Sequence, residues 1–170
     1  MYLTKTSQDI YFIVNTLSQY LVQPRRVHLI AAKHVMRYLK GTIDFGLYYV
    51  GDHDYRLYGY TYAHWAGSVL VRKSNSGGCY CLGSTMISWF SRNQSNVTLS
   101  TTEAEYIASC SASCESIWLQ KLMSDLFDLE LDTKLILCDN QSCIKMIEKP
   151  MFYDKLKHIE IHYFYIRDMV

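Results

Sequence analysis

The sequence predicts a mixed α/β domain, a sheet of short strands covered by helices, with a helical pair in front of it. Three observations carry that expectation. Apolar residues recur at helical spacing up to Gly41. From about Phe45 the pattern shifts to short, tyrosine-rich runs punctuated by Gly, Asp-His-Asp and Ser-Asn-Ser. Beyond Ser100 a long helical run alternates with one compact apolar strand.

The elements follow in order. In SQDIYFIVNTLSQYL, residues Ile10, Ile13, Val14, Leu17 and Leu21 share a helical face, with Ser7 as the expected N-cap. Pro24 marks the start of a second helix and Gly41 sits just past its end, the usual asymmetry of helix termini. Between them, RRVHLIAAKHVMRYLK holds no acid. At 100° per residue, Arg26, Lys33, Arg37 and Lys40 fall within an arc roughly 60° wide, while Val27, Ala31, Val35 and Tyr38 lie on another face. The segments FGLYYV, RLYGYTY, GGCYCL and TMISWFS read as strands, the last three as an antiparallel meander. STTEAEYIASCSASCESIWLQKLMSDLF reads as one long helix. Ser100 and Glu103 form its capping box, and Ile107, Cys110, Cys114, Ile117, Leu122 and Leu126 form its buried stripe. KLILC is a strand, DNQSCIKMIEK begins a helix directly after it, and KHIEIHYFYIRDM is a final helix.

Length and composition bound the function. A chain of 170 residues is one domain, or one with a helical extension, and is long enough to bury a core without metal or disulfide staples. No apolar stretch approaches the roughly 18 residues that a membrane span needs. The N-terminus lacks a basic region followed by an apolar run, so an intracellular protein, cytoplasmic or nuclear, is expected. The six cysteines show no CxxC spacing and are expected as buried free thiols. A net charge of only +1 excludes bulk electrostatic attraction to nucleic acid, so any such binding needs a local patch. The cationic stripe on the second helix is that patch, or else a solvated helix face. Its modest apolar side argues against a membrane-surface role.

Two acids stand where chemistry could be built. Asp139 follows the strand LILC, at the end of a sheet where α/β folds place ligands, although an Asp after a strand is often a helix cap. Glu103 lies in the first turn of the long helix, where capping alone explains it. Hydrolysis of phosphodiesters by two metal ions needs a cluster of carboxylates, because hard Mg²⁺ takes oxygen ligands. Two acids are too few.

At this point the residues acquire a family. TYAHWAGS, KSNSGGCYCLGSTMISWFSRNQSNVTLSTTEAEYIA, LILCDNQSCIKM and KHIEIHYFYIRDMV resemble the ribonuclease H domain of copia-type retrotransposons, and YLTKTSQDIYFIVNTLSQYL with HLIAAKHVMRYLKGT resembles the end of that family's reverse transcriptase. The resemblance covers essentially the whole chain. It implies residues 1–44 as reverse-transcriptase helices and residues 45–170 as a ribonuclease H-like domain lacking its last strand. It further implies an ancestral activity, cleavage of RNA in RNA/DNA hybrids by four carboxylates and two Mg²⁺ ions. In that pattern Glu103 and Asp139 match the second and third acids and serve as metal ligands. Tyr62 stands at the first, His64 stands at a second family Asp two residues on, and the chain stops at Val170 before the fourth; Glu160 matches a structural acid. A phenol keeps its proton at neutral pH and cannot replace a bridging carboxylate, and an imidazole is a poor ligand for Mg²⁺. The expectation is therefore a degenerate, inactive copy that does not hold Mg²⁺ productively and binds nucleic acid weakly if at all. The alternatives are a non-catalytic nucleic-acid-binding module using Arg26, Lys33, Arg37 and Lys40, and a co-opted interaction or effector protein on the same fold.

Overall fold

The computed structural model describes residues 2–49, 56–67, 72–129, 131 and 135–148. They fall into two units, divided between Tyr48 and Tyr49.

The first unit holds three helices, α1 (Tyr2–Thr6), α2 (Tyr11–Ser18) and α3 (Arg26–Gly41). Ser7 is not the cap expected of it: its N–H donates to the Leu3 carbonyl at 2.9 Å and closes α1, and α2 starts later, at Tyr11, with no side-chain cap. The expected helix therefore starts later and is shorter, and the additional short helix α1 precedes it. Ahead of α3, the Arg25 N–H donates to His28 Nδ1 at 3.1 Å, and the His28 ring stacks on Tyr20 with centroids 4.1 Å apart. Ile10 and Val35 are the buried apolar side chains of this unit. Val27 and Tyr38, expected on the apolar face of α3, are exposed.

The second unit is a four-stranded mixed sheet with helices, consistent with a ribonuclease H-like fold. Its strands are β1 (Leu57–His64), β2 (Asn75–Leu82), β3 (Thr85–Asn93) and β4 (Leu135–Cys138), in the order β3-β2-β1-β4. The expected meander is present, β1 pairing antiparallel with β2 and β2 with β3, while β4 runs parallel to β1. Gly83 turns the β2–β3 hairpin with φ 58°, a left-handed conformation that glycine adopts without a Cβ clash. FGLYYV forms no strand among the described residues: Phe45 to Tyr49 have no regular structure. Its Gly46 and lack of a strand partner leave the β-propensity of the tyrosines unused.

Helix α4 (Thr101–Phe127) lies across the sheet, and α5 (Gln141–Glu148) follows β4. The face that α4 buries matches the expected stripe only in part. Ala104, Ala108 and Ala112 are fully buried, one helical turn apart, with Ile107, Cys110 and Leu119 beside them, whereas Cys114 and Leu126 are exposed. Small side chains let the helix backbone approach the sheet. At 1.5 Å per residue α4 runs about 40 Å, against roughly 30 Å for strands of this length, so its last turns overhang and Phe127 is exposed too. Two apolar clusters hold the layers: Leu57, Tyr80, Phe90, Ala112, Leu119 and Leu131 on one side, and Tyr106, Ile107, Cys110, Cys143 and Met146 under α5. Tyr80 is completely buried, and its hydroxyl donates to the Ala112 carbonyl at 2.8 Å. The opposite face of the sheet presents Tyr60, Tyr62, Leu135 and Leu137, all exposed. The segment expected as a final helix lies outside the described residues.

Candidate functional site

Parallel pairing aligns Thr61 of β1 with Cys138 of β4, which brings the ends of both strands to one edge of the sheet. Helix α4 brings an acid to that edge. Glu105 Oε1 accepts the Ala63 N–H at 2.9 Å, just where β1 is ending. Asp139 follows β4 directly, and it is not the cap of the next helix: Asn140 Oδ1 accepts the Cys143 N–H at 2.9 Å and takes that role. The Asp139 carboxylate is thus left for other work. Glu105, Cys138 and Asp139 form a cluster in which the ligand atoms lie within 4.8 Å of one another.

The three donors differ in environment. Glu105 is buried, Cys138 half-buried and Asp139 exposed, so the cluster opens to solvent on one side. Burial raises the Glu105 carboxyl above its ordinary value, the Ala63 N–H works against that rise, and the Asp139 charge adds to it. One oxygen, Glu105 Oε2, is buried with no hydrogen-bond partner. The hydroxyl of Thr61, on the residue paired with Cys138, is buried without a partner as well.

A polar network fixes the approach of α4 to the strands. Gln94 Nε2 donates to Ser76 Oγ at 2.8 Å and to the Ala104 carbonyl at 2.9 Å, tying the end of β3 to β2 and to the start of the helix. Ser74 Oγ and Thr98 Oγ1 are 2.7 Å apart, Ser74 Oγ also accepts the Ala66 N–H, and Trp65 Nε1 donates to the Thr98 carbonyl at 3.1 Å. This corner locks the segment after β1 onto the segment before α4.

The sequence-derived candidates separate in space. Asp139 is in the cluster. Glu103 is not: its Oε2 accepts the Leu99 N–H at 2.7 Å and its own N–H donates to Ser100 Oγ at 3.2 Å, so it serves the helix terminus. Tyr62 is exposed on the open face of β1, its ring over Gly77 of β2, where a Cβ would lie 2.2 Å from the ring. The His64 ring lies against Gly67 and outside the cluster. Arg26, Lys33, Arg37 and Lys40 are exposed along α3, and Arg37 Nε donates to the Lys33 carbonyl at 3.4 Å. Glu160 and Val170 lie outside the described residues. Glu105 and Cys138 are the two that sequence reasoning missed. The available signal was in the capping box itself: Ser100-x-x-Glu103 accounts for Glu103, leaving the acid two positions on, about 200° around the helix, without a role.

The donor set can be tested against Mg²⁺. That ion takes near-octahedral oxygen coordination and sheds water reluctantly, and a pair of such ions needs several bridging carboxylates. Among the described residues the cluster offers two carboxylates and a thiol, and Tyr62 is not part of it. This set does not fit a two-Mg²⁺ centre.

Among the described residues no helix is long and apolar enough to cross a membrane. No protein-family profile and no solved structure matches the chain. Curated relatives do. The chain is similar to the retrovirus-related Pol polyprotein from transposon TNT 1-94 of Nicotiana tabacum, 39% identical over 97% of this chain and 12% of that protein. It is similar to the Pol polyprotein from transposon RE1 of Arabidopsis thaliana, 37% identical over 99% of this chain and again 12% of the relative. The chain therefore spans about an eighth of the length of these two relatives. A third relative is the secreted RxLR effector protein 161 of Plasmopara viticola, 41% identical over 67% of this chain and 80% of that protein.

Proposed function

The chain belongs to the copia-type Pol polyproteins of retrotransposons, and from that premise we propose that it is a ribonuclease H-like region whose ancestral task was cutting RNA in RNA/DNA hybrids and whose present copy does not cut. The observation that carries the loss is the position of Tyr62. It lies in β1 one residue beyond Thr61, the position at which the resemblance expects the first carboxylate, and its ring lies over Gly77 of β2, so it adds no carboxylate to Glu105 and Asp139. Glu105, rather than Glu103, supplies the helix-borne acid, because it alone of the two faces Asp139. Two-ion hydrolysis requires carboxylates that bridge both ions, and this edge retains two acids beside a thiol.

What survives is binding. The exposed row Arg26, Lys33, Arg37 and Lys40 on α3 can follow a phosphate backbone. The test is an RNA/DNA hybrid incubated with the chain and Mg²⁺, beside binding measurements at several salt concentrations. The expected result is salt-dependent association without cleavage. Turnover that disappears on Asp139→Ala overturns the loss of activity.

A second reading draws support from the Plasmopara viticola relative, whose name is that of a secreted effector. The same fold then serves as a protein-interaction scaffold. Binding to a protein partner together with no measurable affinity for nucleic acid distinguishes it from the first reading.

A further inference from the structure

We infer that Glu105, Cys138 and Asp139 form a site for a single thiophilic divalent cation of the Zn²⁺ class. The inference uses two of the acids named above but stands apart from hybrid cleavage, since it concerns only which ion the residues hold.

The geometry is that of an open, three-donor site. Ligand atoms around a tetrahedral ion with metal–oxygen distances near 2.0–2.2 Å and a metal–sulfur distance near 2.3 Å sit about 3.3–3.8 Å from each other. The three atoms here already lie within 4.8 Å of one another, so side-chain rotations of an ångström or so close the site. The backbone is set for it. Cys138 is held in register against Thr61, and Glu105 is pinned through Oε1 to the Ala63 N–H.

An independent observation points to a ligand. Glu105 is 7% exposed, and its second oxygen, Oε2, is buried with no donor. A buried carboxylate oxygen without a partner costs free energy, and native structures resolve such groups with protein, water or an ion. A cation between Glu105 Oε2, Cys138 and Asp139 resolves this one and offsets the repulsion between the two acids. The buried hydroxyl of Thr61, also without a partner, can accept from a water on the ion's remaining position.

Donor chemistry selects the ion. Mg²⁺ gains little from sulfur, while Zn²⁺, Co²⁺ and Cd²⁺ bind thiolate strongly, and the thiol gives up its proton to solvent as the metal binds. Local cysteine spacing does not show such a site, because its donors come from a helix and a strand end far apart in sequence.

The full-length chain, reduced and stripped of metal, is titrated with Co²⁺ alone and then with Zn²⁺ as competitor. One equivalent should bind with a thiolate-to-cobalt charge-transfer band in the near ultraviolet, and Zn²⁺ should displace it. Cys138→Ser should abolish the band. Glu105→Gln should weaken Zn²⁺ binding by at least about a hundredfold, the most that loss of an outer-shell partner alone costs. Asp139→Asn, at an exposed position, should also weaken it and serves if the Glu105 variant fails to fold. Cys114→Ser should leave the titration unchanged, and millimolar Mg²⁺ should not displace Co²⁺. The inference is overturned if no band forms, if the band persists in Cys138→Ser, or if Mg²⁺ competes at concentrations similar to those of Co²⁺.

Discussion

The backbone N–H of Ala63 donates to Glu105 Oε1 at 2.9 Å, joining the end of a strand to a helix 42 residues further along the chain. The bond has two consequences. It satisfies a strand-end donor and it holds the carboxylate within reach of Cys138 and Asp139. Removing the side chain undoes both.

Glu105→Ala should therefore destabilise the fold by about 1–3 kcal/mol, since the Ala63 N–H loses its acceptor inside the structure. Glu105→Gln keeps an oxygen for that bond and should be less destabilising than the alanine variant. Urea unfolding of both in the presence of a metal chelator checks the order. Equal losses would show that the Ala63 bond contributes nothing.

Glu103 and Ser100 should behave as a cap and nothing more. Ser100→Ala should lower stability by about 1 kcal/mol, within the range measured for N-cap replacements, and Glu103→Ala by a similar amount through the exposed Leu99 N–H. Neither should alter metal binding. A loss of Co²⁺ binding in Glu103→Ala would return that residue to the site.

Much of the fold was readable from the sequence because its signals are local. The tyrosine-rich runs from Leu57 to Asn93 alternate in the strand manner, and the stretch after Ser100 has a cap and helical periodicity, so β1, β2, β3 and α4 were expected where they occur. Two failures have one cause, which is that packing, not pattern, decides burial. FGLYYV carries strand composition but forms no strand among the described residues, and the buried face of α4 adds Ala104, Ala108 and Ala112 to the expected Ile107 and Cys110 while Cys114 and Leu126 are exposed. At the site, Asp139 was readable from its place after LILC. Glu105 was not, because two acids two positions apart look equivalent until Leu99 claims one of them and Ala63 the other.

Gly77 and Gly59 offer a contrast in how much room a strand neighbour can give. A Cβ on Gly77 meets the Tyr62 ring, which is exposed and free to swing outward, whereas a Cβ on Gly59 lies 2.8 Å from the ring of the fully buried Tyr80. Gly59→Ala should cost about 1–3 kcal/mol as overpacking, and Gly77→Ala less. Tyr62→Ala should relieve the Gly77 penalty, giving a coupling of about 0.5 kcal/mol or more in a double-mutant cycle followed by thermal unfolding. Strict additivity would place the Tyr62 ring elsewhere.

Reversing the charges at Arg26, Lys33 and Arg37 to Glu should weaken association with an RNA/DNA hybrid. The plot of log affinity against log salt should flatten by about one unit for each phosphate that is no longer neutralised. An unchanged slope would make the row on α3 a solvated face.

The thiols should divide by environment. Burial pushes Cys110 up to about 12, so almost none of it is thiolate between pH 7 and pH 9, and Cys143 is fully buried. Cys114 is exposed one turn further along α4. Iodoacetamide should label Cys114 first under native conditions, and faster as pH rises, while Cys110 and Cys143 wait for unfolding. Mass spectrometry of the digest reads the order. Early labelling of Cys110 would mean that the cluster beneath α5 opens readily.

The central position of β1 also sets an order of assembly. Its antiparallel partner β2 is the next strand in the chain, but its parallel partner β4 is roughly 75 residues away, with α4 in between. Loop-closure entropy makes the second pairing the slow one, so the hairpins can form while β1 still has an unpaired edge. As the chain leaves the ribosome, the carboxylate edge exists only after β4 has emerged and docked. Until then Glu105 and Asp139 belong to separate pieces, and nothing built from both of them can act on a nascent chain.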